Sequence, residues 1–250
     1  MRLTISILII VLVVGGTVIA LGFLTNQEYV EVPEISTQYE KLENYKNELE
    51  KINQYNQQIR SKIRGQENEI STGDYVMVVK NNYHWLKDSS EAGFIANGDI
   101  IEVLEIFSIK ELYGFRFAEV KIRMVDYPKM RPFETVLILD SISVEAPALP
   151  YEDSNRLYQE ILKDFEDEPS GYKKFMKVKK NKYLNALQVK FSYAITCHKS
   201  QGGQWHTVFV EQPYLPNGID KEYLRWLYTA VTRAKDKLYL IGFKDDFFEN

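Results

Sequence analysis

The chain has 250 residues, 45% of them hydrophobic and 26% charged, which is enough for one or two packed domains. Its formal net charge of −4 excludes a general attraction to nucleic acid, so any nucleic-acid surface must be a local basic patch. The single cysteine excludes an internal disulfide framework. Because this cysteine and the three histidines lack metal-ligand spacing, we expect no metal site.

An uncharged, apolar segment lies near the N-terminus. Residues 4–24 carry no charged side chain and are rich in Ile, Val and Leu. A helix rises about 1.5 Å per residue, so a segment of this length crosses a hydrocarbon layer of roughly 30 Å, and we predict a transmembrane segment within residues 1–25. A cleaved signal peptide and a buried β-strand are the alternatives, but the apolar part of either is normally shorter.

A long helix is predicted from Thr37 to Arg64, beginning within a helical spacer that we assign to residues 26–53. Thr37 and Glu40 can form a capping box, and Gly65 suits the C-terminal cap. Apolar residues recur along the helix at alternating steps of three and four, the spacing of a coiled-coil seam. This seam either packs against the following domain or mediates self-association of the chain.

Several short strands separated by turn signals come next. The sequence predicts them at residues 73–81, 100–106, 115–124 and 135–139. In the third of these the side chains of opposite faces alternate in character, as they do in a strand with one buried face. Short strands of this kind are typical of a small antiparallel barrel or sheet.

The charge of the chain then changes abruptly. Residues 147–169 are acidic, whereas residues 172–190 contain seven lysines and no acid. Lys177, Lys179 and Lys180, interleaved with aromatic residues, could combine phosphate contacts with base stacking on single-stranded DNA. The alternatives are a solvated surface and ion pairs with the neighbouring acidic residues.

An apolar run breaks into a polar loop at residues 192–203. Residues 193–196 read as a central strand, and the double glycine at 202–203 lets the backbone turn sharply near a ligand. The polar residues between them lie at the carboxyl end of the strand, where open α/β sheets bind ligands. A catalytic pair of Cys197 and His198 is disfavoured, because adjacent strand residues point to opposite faces.

A second motif lies at residues 228–235, at the end of a predicted helix. Thr229, Thr232 and Arg233 are spaced by three and four residues, which places them on or near one helix face. Taken alone, this segment is also ordinary sequence for a surface helix.

Together the two motifs resemble the last two conserved motifs of superfamily 1 helicases, most closely those of the RecD-like branch. Two glycine-aspartate turns, at residues 73–74 and 98–99, resemble the small barrel that this family inserts into its second RecA-like domain. The resemblance implies an α/β fold in which a RecA-like parallel sheet domain carries an inserted small antiparallel β-barrel. The implied boundaries are 54–82 and 186–250 for the RecA-like domain, 83–146 for the barrel and 147–185 for the charged insert.

The resemblance also implies roles for single residues. In the family the arginine of the second motif reaches the γ-phosphate of ATP, and here that residue is Arg233, which would act as an arginine finger. Many family members carry a glutamate where this chain has Gln204. Nucleotide contacts are implied at Gln201, Gly202, Gln204, Thr229 and Thr232, and nucleic-acid contacts at Thr196, His198 and Lys199.

The other half of such an enzyme is missing from this sequence. No Gly-x-x-x-x-Gly-Lys-Ser/Thr loop is present to hold phosphates, and residues 135–140 lack the Asp-Glu pair of a magnesium-binding strand. We therefore expect the C-terminal half of an ATP-dependent DNA helicase that is inactive alone. Its ATP and Mg²⁺ would require a separately encoded phosphate-loop domain. The alternatives are a non-enzymatic, membrane-tethered binding module and a truncated or fused gene product.

The expected location depends on residues 4–24. If they anchor the chain, action on DNA requires the soluble part to lie on the cytoplasmic side. Arg2 before the span and three glutamates soon after it favour the opposite orientation under the positive-inside rule, so the two arguments conflict. A cytoplasmic protein is the alternative.

Overall fold

The computed structural model describes residues 9–12, 49–86, 90–213, 215, 218–244 and 247–248. They fall into two compact units, the first drawn from Met1–Tyr55 and Tyr193–Asn250, the second from Asn56–Ser192. The strands are β1 (Ile9–Leu12), β2 (Tyr75–Val78), β3 (Ile100–Leu112), β4 (Phe115–Met124), β5 (Phe133–Ile138), β6 (Leu187–Phe191), β7 (Ala194–Thr196), β8 (Trp205–Glu211) and β9 (Ala234–Ile241). The helices are α1 (residues 49–58, followed by a π-helical turn at Ile59–Ile63), α2 (Asp140–Ser143), α3 (Tyr151–Lys163), α4 (Gly171–Lys179) and α5 (Lys221–Val231).

The first unit contains a parallel four-stranded sheet in the order β7-β1-β8-β9. β1 holds it together, because Ile10 pairs with Ala194 of β7 on one side and with Phe209 of β8 on the other. α5 begins after Asp220, whose carboxylate accepts a hydrogen bond from Tyr223 N at 2.7 Å and so caps the helix. Strands and helix therefore form an α/β unit.

The predicted transmembrane segment is described only in part. Within residues 4–24 the structure describes Ile9–Leu12, and these residues form β1 instead of a helix, while the rest of the predicted span lies outside the described residues. An uncharged, β-branched run suits a strand between two parallel neighbours as well as it suits lipid, so composition alone does not separate the two. Among the residues that the structure describes, no helix is long and apolar enough to cross a membrane.

The second unit is built on a closed barrel of five strands in the order β2-β3-β4-β5-β6. Neighbouring strands are antiparallel except β5 and β6, which are parallel, and β6 closes the barrel by pairing with β2. Register shifts after Val103 and Ile106 bend the long β3–β4 hairpin. Along β4, Ala118, Val120 and Ile122 share one face and are fully buried.

The barrel differs from its predicted boundaries. The sequence assigns β2 and β6 to the RecA-like segments 54–82 and 186–250, whereas in the structure both strands belong to the barrel. The three strands within residues 83–146 form an open sheet on their own, and its two outer strands would expose unpaired backbone groups. β2 and β6 pair with those outer strands and with each other, which removes the edges.

The charged insert forms helices that cover one side of the barrel. Leu157 and Ile161 of α3 and Val178 of α4 are buried in one cluster with Phe115 and Phe117 of β4. The acidic and basic stretches therefore share an apolar face that joins the barrel core, and their charged side chains lie on the outer surface of this layer.

The π-helical turn after α1 carries a buried ion pair. Arg60, only 2% exposed, donates to both carboxylate oxygens of Asp74 at 3.0 and 2.9 Å. Of the predicted coiled-coil seam, Ile52 and Ile59 are buried. Their burial favours the packing interpretation over self-association at these positions. Residues 37–48 of the predicted helix lie outside the described residues.

Candidate functional site

The loop after β7 is closed by its own hydrogen bonds. The Thr196 hydroxyl accepts from Lys199 N at 3.2 Å, and the Thr196 carbonyl accepts from Ser200 N at 3.1 Å. The buried Ser200 hydroxyl donates to Cys197 O at 2.7 Å. The result is a compact turn at the carboxyl end of a parallel strand, with the side chain of His198 exposed on it.

The double glycine allows this turn to approach β8 closely. Gly202 has a φ of 84°, in the left-handed region that favours glycine. A Cβ atom on Gly203 would lie only 2.5 Å from the Trp205 indole ring. Gln201 and Gly202 are exposed at the tip of the turn.

Arg233 connects the two predicted motifs. It follows the C-terminal cap of α5, and its guanidinium donates to Gly203 O at 3.0 Å, to Thr229 O at 2.9 Å and to the Thr232 hydroxyl at 3.0 Å. A backbone bond adds a second connection, since Trp205 N donates to Arg233 O at 2.9 Å. Two segments that are distant in sequence therefore meet at one arginine.

The two threonines of the second motif bond to their own helix. The Thr229 hydroxyl donates to Arg225 O at 2.9 Å, and the Thr232 hydroxyl donates to Tyr228 O at 2.8 Å, the usual back-bonding of helical threonines. Gln204 Nε2 lies 3.5 Å from Thr232 O, a distance at which a hydrogen bond is weak. These predicted nucleotide contacts therefore cluster at the end of α5.

Burial sets the charge state within the loop. It raises the pKa of the Cys197 thiol to about 11, partly offset by the Ser200 hydrogen bond and by Arg233. Cys197 is thus a neutral thiol at pH 7 and no nucleophile. Burial also lowers the pKa of Lys199, so an anion bound beside this lysine would favour its charged form.

The lysines predicted to contact nucleic acid lie on the second unit, at the C-terminal end of α4. Lys177 Nζ is 2.7 Å from Glu168 Oε2, so at this position the predicted alternative, pairing with the acidic stretch, occurs. Lys179 and Lys180 are exposed. The predicted nucleic-acid residues are therefore divided between the two units, with Thr196, His198 and Lys199 on the first.

Sequence reasoning misses the role of Trp205. Its ring occupies the space beside Gly203, whose carbonyl in turn accepts from Arg233. The sequence signal for this role is a tryptophan two residues after a double glycine. Glycine has no side chain, so a neighbouring indole ring can pack directly against its backbone. In the described ranges no group of three or more His, Cys, Asp or Glu side chains could hold a metal ion.

Comparisons with known proteins identify the segment that contains both motifs. Residues 191–241 match the family model of the UvrD-like helicase C-terminal domain. A stretch of 60 residues is 42% identical to the uncharacterized protein MJ1519 of Methanocaldococcus jannaschii, covering 24% of this chain and 5% of that protein.

Solved helicase structures are similar at low sequence identity. The Pif1 helicase of Candida albicans is 14% identical, covering 71% of this chain and 33% of that one, with a TM-score of 0.33. A Bacteroides Pif1 helicase in complex with ADP-AlF3 and ssDNA is 13% identical, covering 71% of this chain and 32% of that one, with a TM-score of 0.34. The chain spans about a third of the length of these helicases. The predicted resemblance to superfamily 1 helicases is confirmed, because residues 191–241, which contain both motifs, match the UvrD-like helicase C-terminal domain.

Proposed function

We propose that this chain supplies the second, C-terminal half of an ATP-dependent superfamily 1 DNA helicase of the RecD-like type. One observation carries the proposal. The guanidinium of Arg233 bonds to Gly203 O, which joins the two motifs just before β8 and β9, at the amino end of these two parallel strands. The turn that ends at Gly203 begins at the carboxyl end of β7, and the carboxyl ends of strands are where open α/β sheets bind ligands.

Arg233 is the proposed arginine finger. Three of its five N–H groups donate hydrogen bonds, one each on Nε, Nη1 and Nη2. Each terminal nitrogen therefore keeps one N–H for another acceptor. Two N–H donors on the terminal nitrogens can bond to oxygens of a γ-phosphate. The existing bonds fix the guanidinium in place, as stabilisation of a transition state requires.

The nucleotide would be shared with a second protein. The sequence contains no phosphate-cradling loop, so the phosphates of ATP and the Mg²⁺ would be held by a separately encoded domain that carries one. Gln201, Gly202 and Gln204 would approach the nucleotide from this chain. Single-stranded DNA would contact Thr196, His198 and Lys199 on the first unit and the exposed lysines on the second.

A non-enzymatic binding module is the second candidate, and a specific observation favours it. The guanidinium of Arg233 bonds to two backbone carbonyls, those of Gly203 and Thr229, as the side chain of an arginine that stabilises a fold does. In that case Arg233 would support the turn, and the chain would bind nucleic acid without turning over ATP.

The test is ATP hydrolysis by the full chain, alone and mixed with a phosphate-loop domain encoded beside it, with and without single-stranded DNA. We expect no turnover alone and DNA-stimulated turnover in the mixture. Arg233→Ala should reduce that turnover by about 10³- to 10⁵-fold, the contribution of an arginine finger. Arg225→Ala is the matched control, since Arg225 lies on α5 and pairs only with exposed Glu222 in the described part of the chain. DNA binding without turnover in any mixture would support the binding module instead.

A further inference from the structure

A cavity with polar and apolar lining residues opens on the second unit, beside the barrel. Its volume is about 350 Å³, and it is lined by the segment that follows β2 and by the segment that leads into β6. Lys80, Tyr83 and His84 come from the first segment, and Asn185 comes from the second, while Lys179 lies at the end of α4. The volume falls in the range of small-molecule sites, about 300–1,000 Å³.

Hydrogen bonds between distant segments fix the wall of this cavity. Asn82 Nδ2 and Trp85 Nε1 both donate to Asn185 O, at 2.8 and 2.7 Å. Asn185 Nδ2 donates in turn to Lys179 O at 2.8 Å. The cavity is thus preformed, and a ligand would not have to order these segments when it binds.

The charge of the lining is positive and uncompensated. Two lysines and no acidic residue line the cavity. Among the described residues, no carboxylate pairs with Lys80 or Lys179, whereas nearby Lys177 and Lys182 pair with Glu168 and Glu119 at 2.7 and 2.6 Å. An anionic group would therefore be attracted to this cavity.

An aromatic surface lies beside these lysines. Tyr83 stacks on Phe94 with ring centroids 4.8 Å apart, and Tyr83 is still 70% exposed, so one side of the stack is open. A ring that is already held offers stacking at little entropic cost. Burial lowers the pKa of His84, so its neutral imidazole offers one donor and one acceptor to the edge of a base.

We infer that this cavity binds one nucleotide unit, with its phosphate at Lys80 and Lys179 and its base against Tyr83. The site lies within the second unit and uses neither Arg233 nor the loop after β7. Lys179 also belongs to the proposed contact with single-stranded DNA, so strand binding here rests on the proposed function, whereas binding of a free nucleotide goes beyond it. A free mononucleotide and a single strand of nucleic acid offer the same chemistry. The experiment distinguishes these two sources.

The test is binding to the full chain, measured by titration calorimetry with dTMP, a short oligothymidylate and inorganic phosphate as separate probes. Tyr83→Ala should weaken nucleotide binding about 5- to 150-fold, which is the loss of one stacked base. Tyr83→Phe keeps the ring and should keep the affinity. Replacing Lys80 and Lys179 together by alanine should flatten the dependence of log affinity on log salt for oligothymidylate by about 0.7, which corresponds to one phosphate. Lys129→Ala, an exposed lysine outside the lining, is the matched control and should change neither quantity.

Each outcome decides the proposal. If the variants lose affinity for oligothymidylate alone, the site binds a nucleic-acid strand. If they also lose affinity for dTMP, the site binds a free nucleotide. Both results support the inference. Unchanged binding in Tyr83→Ala and in the double lysine variant overturns it, and so does an unaltered chain that binds neither nucleotide probe. Inorganic phosphate binding as tightly as dTMP also overturns it, because the base would then contribute nothing. Thermal unfolding of Tyr83→Ala verifies that this variant is folded.

Discussion

Gly203 is constrained by two neighbouring residues, Arg233 and Trp205. Its carbonyl accepts from Arg233 at 3.0 Å, and its α-carbon must leave room for the Trp205 ring, which a Cβ would approach to 2.5 Å. Because the ring belongs to β8 and the carbonyl to the preceding turn, moving either one disturbs the other. The position of the arginine therefore depends on a residue without a side chain.

Gly203→Ala should destabilise the first unit. The added methyl group forces the indole or the turn to move, and such overpacking costs about 1–3 kcal/mol. Urea unfolding followed by tryptophan fluorescence measures the change in the free energy of unfolding. Gly171→Ala is the control, since a Cβ there meets nothing within 4 Å. Equal unfolding midpoints for both variants would show that the Trp205 contact places no constraint on the turn.

Glu119 is a second residue on which several side chains converge. Hydrogen bonds from Lys182 and Lys110 hold its pKa well below the ordinary range, at about 2, with a further contribution from the Ser108 hydroxyl. The Tyr183 hydroxyl faces the same carboxylate at 3.2 Å. This carboxylate joins the β3–β4 hairpin to the basic segment that follows α4.

The stability contributed by Glu119 should depend on pH in a defined window. A carboxylate whose folded pKa is depressed contributes stability above its unfolded pKa of about 4.5, and this stability is lost as the pH falls through about 2. Glu119→Gln should therefore lower the urea midpoint at pH 7 and have less effect near pH 3. Glu105→Gln, an exposed carboxylate on the neighbouring strand β3, is the control and should show no such difference. An equal effect of Glu119→Gln at both pH values would contradict the charge-based account.

At the scale of elements, β1 is the strand on which the parallel sheet depends. β7 has no other neighbour in the sheet order, and β8 would lose its partner on one side if β1 were absent. The same residues read from sequence as part of a transmembrane helix. A parallel strand with neighbours on both sides and a lipid-facing helix both require an uncharged, apolar run, so the decision lies with neighbours that a local pattern does not contain.

Ile10→Pro should destabilise the first unit if β1 is central to its sheet. Proline cannot donate to the ladder, and Ile10 pairs with Ala194 and Phe209 on its two sides. An unsatisfied buried backbone group costs about 1–3 kcal/mol. Ile10→Val keeps the β-branched side chain and should unfold like the unaltered chain in urea. If the two variants unfold identically, β1 does not contribute to the stability of this sheet.

The barrel shows what sequence patterns can and cannot provide. Alternation and turn signals indicated strands at 73–81, 100–106, 115–124 and 135–139, and the structure has β2 to β5 in these places. The closing strand, β6, pairs with β2 across more than a hundred residues, and no local pattern reports such a pairing. The same holds for the site, where spacing grouped Thr229, Thr232 and Arg233 but did not indicate which carbonyl the arginine would reach.

At the scale of the whole molecule, basic groups must act against a negative net charge of −4. Two groups are proposed to contact single-stranded DNA, one around His198 and Lys199 on the first unit and one around Lys179 and Lys180 on the second. Only local charge can attract a phosphate backbone to such a chain. Affinity should therefore weaken with salt, with a slope of about −0.7 per phosphate contacted on a single strand.

The salt dependence of DNA affinity can be tested by removing phosphate contacts and also by adding one, because breaking the ion pair between Lys177 and Glu168 would free Lys177. Replacing Lys179 and Lys180 by alanine should flatten the salt slope for a thymidine oligonucleotide by about 1.4, or two phosphates, in a fluorescence anisotropy titration. Lys177→Ala should change the slope less, because its ammonium is already 2.7 Å from the Glu168 carboxylate. Glu168→Gln should release Lys177 and steepen the slope by about 0.7.

Glu160→Gln is the matched control for the released lysine. Glu160 forms a similar exposed pair with Lys163 on α3, outside the proposed contact, so its loss should leave the slope unchanged. Equal steepening by Glu160→Gln and Glu168→Gln would mean that only net charge matters. An unchanged slope in the Lys179 and Lys180 variant would remove this cluster from the nucleic-acid surface and leave the loop after β7 as the remaining proposed contact.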